Sequence, residues 1–211
     1  FKETFKDAMG YGWEMSKVNF DWNKLRTARD KEVERLETAY RTNLQKSGVK
    51  IFENFAKCVG PKLLELNNGT VIEAEHILLA TGGIPKKPDF EGVDLTISSD
   101  EVFELGKLPK EILIYGGGYI ACEFASIFKG LGSKVHLVYR GDSLLKGFDN
   151  DVRNTLTSEF IKKDIQLALN STITSVKQEN KKLRVDLADG QNFSVDEILC
   201  ATGRRPNIDY L

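Results

Sequence analysis

The segment from Glu111 to Lys146 constrains the fold of this 211-residue chain more than any other part of it. A short apolar run is followed by three consecutive glycines at 116–118. A stretch with apolar residues at helical spacing comes next, and a second β-rich run covers 135–139. Strand, glycine turn, helix and strand in this order predict a Rossmann-like α/β fold with a parallel sheet.

The glycine turn has the spacing of a dinucleotide-binding fingerprint, Gly116-x-Gly118-x-x-Ala121. Gly116 permits a tight turn, and Gly118 lets the backbone approach a pyrophosphate. The helix that follows attracts this anion, because its first N–H groups have no partner within the helix and its dipole is positive there. Ala121 allows the helix to pack closely on the strand. The turn therefore predicts a bound dinucleotide.

The end of the second strand distinguishes between the two nicotinamide cofactors. An NAD site has an acidic residue about 20 residues after the glycines, which holds the ribose hydroxyls. This chain has Arg140 in that place, and Lys146 follows it. A cation can hydrogen-bond a 2′-phosphate, so the two residues predict NADPH over NADH.

Composition and charge exclude several classes of protein. The net charge of -1 gives no electrostatic case for binding nucleic acid or an anionic membrane. No apolar run reaches the ~18 residues of a membrane-spanning helix. The three cysteines (Cys58, Cys122 and Cys200) form no CxxC and no metal-ligand cluster. This cysteine usage indicates a reducing compartment, and we expect a cytoplasmic location.

The first half of the chain shows a long helix followed by short strands. The helix is predicted from Asp21 to about Lys46, where Ser47-Gly48 closes it. Strands are predicted at 49–56, 62–66, 70–73 and 75–80, and an Asn-Asn-Gly turn joins the second to the third. A linker at 84–96 and a helix at 97–108, capped near Ser98 or Ser99, lead to the glycine turn.

The second half continues the α/β pattern after Lys146. We predict a helix at 150–163, a third parallel strand at 165–169, and a three-stranded β-meander at 171–178, 181–187 and 191–195. The last apolar strand, 196–201, runs into Thr202-Gly203. Segment 69–82 resembles segment 190–203, since each has a turn, a strand, an acidic turn and an apolar strand ending in Ala-Thr-Gly. This echo predicts two nucleotide-binding domains of one plan, at 1–90 and 91–211.

Several motifs together resemble the glutathione reductase branch of the flavoprotein disulfide reductases. They are the segment from Gly116 to Glu123, the two Ala-Thr-Gly strand ends, and Gly203-Arg-Arg-Pro-Asn207. The resemblance implies that 1–90 is the C-terminal half of an FAD-binding domain and that 91–211 is an NADPH-binding domain. It also implies that electrons pass from NADPH to FAD, then to a redox disulfide, and then to oxidised glutathione.

The same resemblance implies roles for individual residues. Tyr119 matches a gating tyrosine that covers the flavin, and Glu123 matches an acid that pairs with a flavin-side lysine, so both are candidate catalytic residues. Arg140 and Lys146 match the cations around the 2′-phosphate. Further matches are Gly117 and Ile120 at the nicotinamide end, Gly203 as an NADPH contact, and Ala56, Thr81 and Gly82 as backbone contacts to FAD.

The chain departs from the family pattern chiefly by what it lacks. The N-terminal dinucleotide motif, the CxxxxC disulfide and the C-terminal interface domain with its His-Glu pair are not in this sequence, which begins with Phe1. We therefore expect an internal segment, inactive alone, of a longer protein that is a homodimer by resemblance. Members of the family often have an arginine where this chain has Lys146, and a lysine cannot form two parallel hydrogen bonds to a phosphate. Gly141 has no side chain at a place where relatives often have a polar or basic one. We therefore expect fewer contacts to the 2′-phosphate in this chain.

Alternatives remain open at the level of the sequence. The chain could belong to a trypanothione, thioredoxin or mercuric reductase, or to dihydrolipoamide dehydrogenase, although Arg140 argues against the NAD-dependent last of these. It could also be a non-catalytic nucleotide-binding module. Tyr119 could be a surface aromatic and Glu123 an acid favoured by the helix dipole. Cys122 is expected to be a small buried hydrophobe.

Overall fold

The computed structural model describes residues 2–14 and 19–209. The described α-helices are α1 (Lys2–Gly10), α2 (Trp22–Lys46), α3 (Tyr119–Leu131) and α4 (Asn150–Lys162). The described strands are β1 (Ala56–Gly60), β2 (Leu63–Leu66), β3 (Val71–Glu73), β4 (Gly83–Pro85), β5 (Glu111–Tyr115), β6 (Lys134–Tyr139), β7 (Gln166–Leu169), β8 (Ile173–Glu179), β9 (Lys182–Leu187), β10 (Asn192–Val195), β11 (Glu197–Cys200) and β12 (Arg204–Pro206).

The chain divides into two compact units. The larger unit contains Pro85–Gly203 together with the described residues before Lys24. The smaller unit contains Lys24–Ile84 and the described residues after Gly203.

The larger unit is built on a four-stranded parallel sheet with the order β11-β5-β6-β7. From β5 the chain winds to β6 and β7 on one side, whereas β11 lies on the other side of β5. The winding direction therefore reverses at β5, and its carboxyl end is a topological switch point, where open α/β sheets bind their ligands. This topology confirms the predicted parallel α/β sheet.

Both faces of the parallel sheet are buried, as such sheets require. Ile112 and Ile114 of β5 pack in one core cluster with Ala125 and Phe128 of α3. Leu113 packs in a second cluster, which the antiparallel β8-β9-β10 meander supplies. Successive side chains alternate between the two clusters because a strand has a period of two residues. The predicted meander is thus confirmed as the cover of the second face.

Helix α3 approaches the sheet closely because small residues lie on its inner face. Ala121 and Ala125, one turn apart, are both fully buried. The helix ends at Gly132, whose φ of 107° is a left-handed conformation that glycine adopts at low cost. Phe128 then stacks on Trp22, with ring centroids 6.4 Å apart. These contacts fix the helix that follows the glycine turn.

The smaller unit contains a three-stranded antiparallel meander of β1, β2 and β3 and a two-stranded sheet of β4 and β12. The hairpin of β2 and β3 confirms the predicted turn at 67–69. Helix α2 matches its predicted span, but none of its residues is buried. On its apolar stripe, Val33 is 56% exposed and Tyr40 is 66% exposed.

Two strands predicted for the first half of the chain are wrong. Residues 49–55 are irregular, and the strand begins only at Ala56. Residues 75–80 are also irregular, and Leu78 is 89% exposed. An apolar run becomes a parallel strand only when neighbouring strands satisfy its backbone hydrogen bonds. Among the described residues no strand pairs with 75–80.

The predictions for the segment before the glycine turn are also only partly right. The linker at 84–96 contains a 3-10 turn at Val93–Leu95. The predicted helix at 97–108 is reduced to a 3-10 turn at Glu101–Glu104. Its N-cap residue is Asp100, without a side-chain capping hydrogen bond, rather than the predicted Ser98 or Ser99, although the Ser98 amide donates to the Glu101 carboxylate at 2.8 Å. Gly106 and Pro109 follow within one or two turns and prevent a longer helix.

The apolar side chains of α4 are buried only in part. Phe160 is buried, whereas Val152 is 49% exposed and Ile161 is 63% exposed. The parallel sheet ends at β7, so it does not extend beneath all of these side chains.

A cluster of charged side chains lies at the amino end of the parallel sheet. Glu111, the first residue of β5, contacts Lys134 at 2.9 Å, His136 at 2.9 Å and Lys182 at 3.1 Å. His136 is only 2% exposed and lies against the ring of Phe193. Its Nε2 meets Glu111, while its Nδ1 has no hydrogen-bond partner among the described residues. The sequence did not indicate that this buried histidine has a carboxylate partner.

The cluster makes the stability of the larger unit depend on pH. Burial alone raises the pKa of Glu111, but hydrogen bonds from Lys134, His136 and Lys182 outweigh it and lower that pKa from 4.5 to about 2. Burial lowers the pKa of His136, and the bond to Glu111 opposes this only in part. In both cases the unfolded chain binds the proton more readily than the folded chain. The free energy of unfolding therefore falls on acidification, from about pH 6.5 for His136 and from about pH 4.5 down to about pH 2 for Glu111.

We predict that Glu111→Gln lowers the free energy of unfolding at pH 7 by about 2 kcal/mol, because the buried His136 and the more exposed Lys134 and Lys182 all lose their charged acceptor. The decline of stability between about pH 4.5 and pH 2 should become shallower in the variant. Urea unfolding followed by circular dichroism across this pH range measures both effects.

The matched control for this measurement is Glu91→Gln. The Glu91 carboxylate is 69% exposed and lies 3.7 Å from Lys177, so it is an ordinary surface ion pair. Its loss should cost less than about 1 kcal/mol. Equal losses in the two variants would contradict the role that we assign to Glu111.

Candidate functional site

The glycine turn lies directly after β5, at the switch point of the parallel sheet. Gly116 has a φ of 147°, which residues with side chains rarely adopt. A Cβ at this position would lie 2.3 Å from the carbonyl oxygen of Ala201, the residue that follows β11. Glycine is therefore required at 116 both by the backbone conformation and by the close approach of the neighbouring chain.

Gly117 meets a different neighbour, the ring of Tyr139 at the end of β6. A Cβ at 117 would lie 2.5 Å from that ring, and a Cβ at Gly141 would lie 2.6 Å from it. One aromatic ring thus covers two glycines. In addition, the Gly117 carbonyl accepts a hydrogen bond of 2.7 Å from the Leu145 amide. Sequence reasoning did not predict either contact, since neither partner is close to Gly117 in sequence.

Gly118, in contrast, is open to solvent. It is the N-cap residue of α3, and no atom lies within 4 Å of the place that its Cβ would occupy. No side chain caps the helix at this end. The first amides of α3 and its positive dipole end are therefore available to an anion that approaches over Gly118. This open cradle fits a pyrophosphate.

The two predicted phosphate-binding cations, Arg140 and Lys146, lie in the segment that follows β6. Both side chains are exposed. Within the described part of the chain, neither forms an ion pair or a side-chain hydrogen bond. An uncompensated arginine next to a strand end in the parallel sheet fits a 2′-phosphate, which offers the charge and the acceptors that the guanidinium lacks here.

The two candidate catalytic residues share one groove on the surface of the larger unit. Tyr119 and Glu123 are four residues apart on α3 and therefore lie on the same helical face. The groove continues over apolar side chains of α3, of the segment after β6 and of α4, namely Ile127, Leu145, Phe148 and Leu156. Tyr119 is 58% exposed. Ile120 is only half-buried, and Ala121 lies beneath the helix against the sheet.

The cysteines of the larger unit are not suited to redox chemistry. Cys122 is buried, and burial, helped by the nearby Glu123 carboxylate, raises the pKa of its thiol to about 11. Burial also raises the pKa of Cys200, which lies 3.4 Å from the hydroxyl of Thr96. A reactive cysteine has a lowered pKa. The structure therefore supports the expectation that Cys122 is a core residue, and Cys200 is a buried residue as well.

Gly203 lies beyond β11, near the same edge of the sheet. Its φ is 135°, and its carbonyl accepts a hydrogen bond of 2.9 Å from the Lys86 amide. The amide of Ala201, two residues earlier, donates to the carbonyl of Tyr115, the last residue of β5. The chain after β11 is thus held beside the glycine turn.

The residues predicted to contact FAD lie in the smaller unit. Ala56 is the first residue of β1 and lines an open groove together with Leu66 and Asn67. Thr81 and Gly82 lie in the turn before β4, where their carbonyls accept hydrogen bonds from the side chain and the amide of Asn207. The described residues of this unit contain no glycine turn that could hold a flavin pyrophosphate.

A parallel sheet with an open GxGxxA turn at its switch point defines a dinucleotide-binding protein. Residues 4–211 match the family described as pyridine nucleotide-disulphide oxidoreductase, and the chain belongs to that family. The resemblance stated from the sequence motifs is confirmed. Glutathione reductases of this family use FAD and NADPH.

Two curated relatives and one solved structure are similar to nearly the whole chain. The chain is 40% identical to glutathione reductase of Burkholderia cepacia over 98% of its length and 46% of the relative. It is 38% identical to glutathione reductase of Nostoc sp. over 100% of its length and 46% of the relative. Among solved structures, the HOCl-induced flavoprotein disulfide reductase RclA of Escherichia coli shares the fold with a TM-score of 0.84, at 24% identity over 91% of this chain and 45% of that chain. The chain thus spans about half the length of the curated relatives that it matches.

Neither a membrane-spanning helix nor a metal-binding cluster is found in the part of the chain that the structure describes. No helix there is both long and apolar enough to cross a membrane. No group of three or more histidine, cysteine, aspartate or glutamate side chains there could hold a metal ion.

We predict that an alanine at 116 mainly lowers the stability of the chain, whereas an alanine at 118 mainly weakens NADPH binding. Gly116→Ala should lower the free energy of unfolding by about 2–4 kcal/mol, because its Cβ clashes with Ala201 and its φ is strained. Gly118→Ala should change stability by about 1 kcal/mol or less. It should nevertheless weaken NADPH binding by about tenfold or more, because a methyl group enters the path of the pyrophosphate.

Urea unfolding and calorimetric titration with NADPH separate the two effects. The two variants carry the same chemical change at positions two residues apart, so each is the control for the other. A Gly118→Ala chain that binds NADPH as tightly as the original chain would show that the pyrophosphate lies elsewhere.

Proposed function

We propose that the chain is the NADPH-binding part of a flavoprotein disulfide reductase that reduces oxidised glutathione. The observation that carries this proposal is the uncompensated pair Arg140 and Lys146 after β6, at the same sheet edge as the open glycine turn. In this proposal domain 1–90 contributes to FAD binding and domain 91–211 binds NADPH.

In this proposal each part of NADPH has its own binding group in the larger unit. The amides at the start of α3 hold the pyrophosphate over Gly116, Gly117 and Gly118. Arg140 and Lys146 hold the 2′-phosphate, and Arg140 contributes more because its guanidinium can form two parallel hydrogen bonds. Bound NADPH supplies a hydride, for which FAD is the acceptor.

The nicotinamide end is proposed to lie toward the groove that Tyr119 and Glu123 line. In this proposal Tyr119 covers the flavin, and its ring is free to move because the residue is 58% exposed. Glu123 supplies a negative charge that pairs with a flavin-side lysine. Ile120 and Ala121 shape and support this end of the helix, and Gly203 gives a backbone contact to NADPH.

The smaller unit contributes backbone contacts to FAD in this proposal. Ala56 offers the surface of β1, and Thr81 and Gly82 offer the turn that Asn207 holds in place. Because the described residues lack a second pyrophosphate turn, these contacts are only part of what FAD needs.

Substrate, assembly and location complete the proposal. Oxidised glutathione is proposed as substrate because the relatives described above are glutathione reductases. A homodimer follows from the same family. The cytoplasm is proposed because Cys58, Cys122 and Cys200 are all free thiols, which a reducing compartment maintains.

We predict that Arg140→Ala weakens NADPH binding by about 1.5–3 kcal/mol, the value of a charged hydrogen bond, and leaves NADH binding nearly unchanged. Calorimetric titration of the chain with both nucleotides measures the change. Arg184→Ala is the matched control, because Arg184 is an exposed arginine that already pairs with Asp186. Equal affinities of the original chain for NADPH and NADH would reject the cofactor assignment.

We further predict that the complete gene product oxidises NADPH only when oxidised glutathione is present. Steady-state absorbance at the NADPH band measures this turnover. Trypanothione disulfide, thioredoxin, mercuric ion, and lipoamide with NADH serve as comparison substrates, one for each alternative member of the superfamily. Turnover with one of these and none with glutathione disulfide would replace the proposed substrate, and no turnover with any would favour a non-catalytic nucleotide-binding module.

A further inference from the structure

The segment that carries Arg140 and Lys146 needs an external support, because its own backbone is not regular. Residues 140–148 belong to no helix or strand. Leu145 has a φ of 52°, and Gly147 has a φ of 94°. We call residues 140–148 the phosphate loop. A loop of this kind holds two cations in a fixed geometry only if other elements restrain it.

Part of the restraint comes from beneath the phosphate loop. Leu144 is fully buried and Leu145 is 8% exposed, so the middle of the loop is anchored in the core. The Leu145 amide donates to the carbonyl of Gly117, at 2.7 Å. The loop that carries the cations is thereby tied to the glycine turn.

Further restraint comes from two places, the Asn170 amide, which donates to the carbonyl of Gly141 at 3.0 Å, and Arg153 in the first turn of α4. Its Nε donates to the carbonyl of Leu144 at 2.9 Å, and its Nη2 lies 3.5 Å from the carbonyl of Ser143. Its Nη1 donates to the side chain of Asn150 at 3.1 Å. The side chain is only 20% exposed. One planar guanidinium therefore reaches two successive carbonyls of the phosphate loop and the start of the helix that follows it.

The two carbonyl contacts are specific to arginine, whereas the 3.9 Å ion pair of its Nη2 with the carboxylate of Asp142 is one that a lysine could also form. The carbonyls of Ser143 and Leu144 lie between Arg140 and Lys146 in the chain, so a shift of either carbonyl moves the backbone that carries the cations. A lysine could reach one carbonyl but cannot present donors in the same rigid plane to both. The position of Arg153 in the first turn of α4 is itself fixed, because Asp149 caps this helix through the Asp151 amide.

We propose that Arg153 is a positioning residue for recognition of the 2′-phosphate. It does not contact the nucleotide, and it acts by holding the phosphate loop in the conformation in which Arg140 and Lys146 converge on one anion. The inference rests on the proposed NADPH-binding function. It separates two contributions to phosphate binding, the charges themselves and the hydrogen bonds that place them.

The test uses two nucleotides that differ only in the group of interest, 2′,5′-ADP and 5′-AMP. Calorimetric titration of the full chain gives the ratio of the two affinities. Arg153→Met and Arg153→Lys should each reduce this ratio by about 3- to 20-fold, with 5′-AMP binding little changed. The lysine variant is essential, because it keeps the charge and loses only the planar set of donors.

Lys162→Met is the matched control. Lys162 is a cation on the same helix, 70% exposed and paired with Glu159, and it has no contact with the phosphate loop. Its loss should leave the affinity ratio unchanged. Urea unfolding of all variants shows whether a change in the ratio accompanies a general loss of stability.

Several outcomes would overturn the proposal. One is an unchanged ratio in both Arg153 variants while Arg140→Ala reduces it, which would leave the NADPH assignment intact. Another is a ratio that falls in Arg153→Met but keeps its original value in Arg153→Lys, with no difference between these variants at high salt. This result would indicate that Arg153 acts through its charge alone and not through its hydrogen bonds to the loop. An equal loss of both nucleotides would indicate a general structural role. An original chain that binds the two nucleotides equally would reject this inference together with the proposed function.

Discussion

The close approach of Gly116 to Ala201 is the constraint on which the rest of the larger unit depends. Tyr115 and Cys200 are paired in register at the ends of two parallel strands, so both chains leave the sheet at the same level. The two chain segments can diverge beyond the sheet only if one of them turns sharply at a residue without a side chain. Gly116 is that residue, and its φ is 147°. Helix α3 then starts over the gap, with its free amides at the switch point. The proposed anion site is thus a consequence of how the two central parallel strands end side by side.

The cations at the two ends of the parallel sheet differ in whether the protein supplies them with an anionic partner. At the amino end, Lys134 and Lys182 both contact the carboxylate of Glu111, and the low pKa of that group shows how strongly it is held as an anion. At the carboxyl end, Arg140 and Lys146 have no such partner in the described structure. Exposed cations need no partner within the protein, because water solvates them. The position of Arg140 and Lys146 after β6, at the same sheet edge as the open glycine turn, is therefore what points to an anionic ligand.

The sequence was sufficient to predict elements whose signals are local. The β-α-β unit, the meander and the glycine turn are specified by short-range periodicity and by turn residues, and all are found in the structure. Contacts between residues far apart in sequence could not be predicted in this way. The pairing of His136 with Glu111, the ring of Tyr139 over Gly117, and the reach of Arg153 to the phosphate loop all depend on the three-dimensional packing of separate elements.

The echo between 69–82 and 190–203 shows where sequence reasoning reaches its limit. The two segments have the same pattern, yet 197–200 forms the buried strand β11 and 75–80 is irregular. The difference lies in their neighbours, because β11 pairs with β5 in parallel, whereas among the described residues no strand pairs with 75–80. An apolar run ending in Ala-Thr-Gly therefore encodes the capacity to be a central strand, and the adjacent strand decides whether it becomes one. By the same reasoning, the FAD contacts proposed at Thr81 and Gly82 need a sheet beside 75–80, while the proposed NADPH site needs only the sheet that the larger unit already contains.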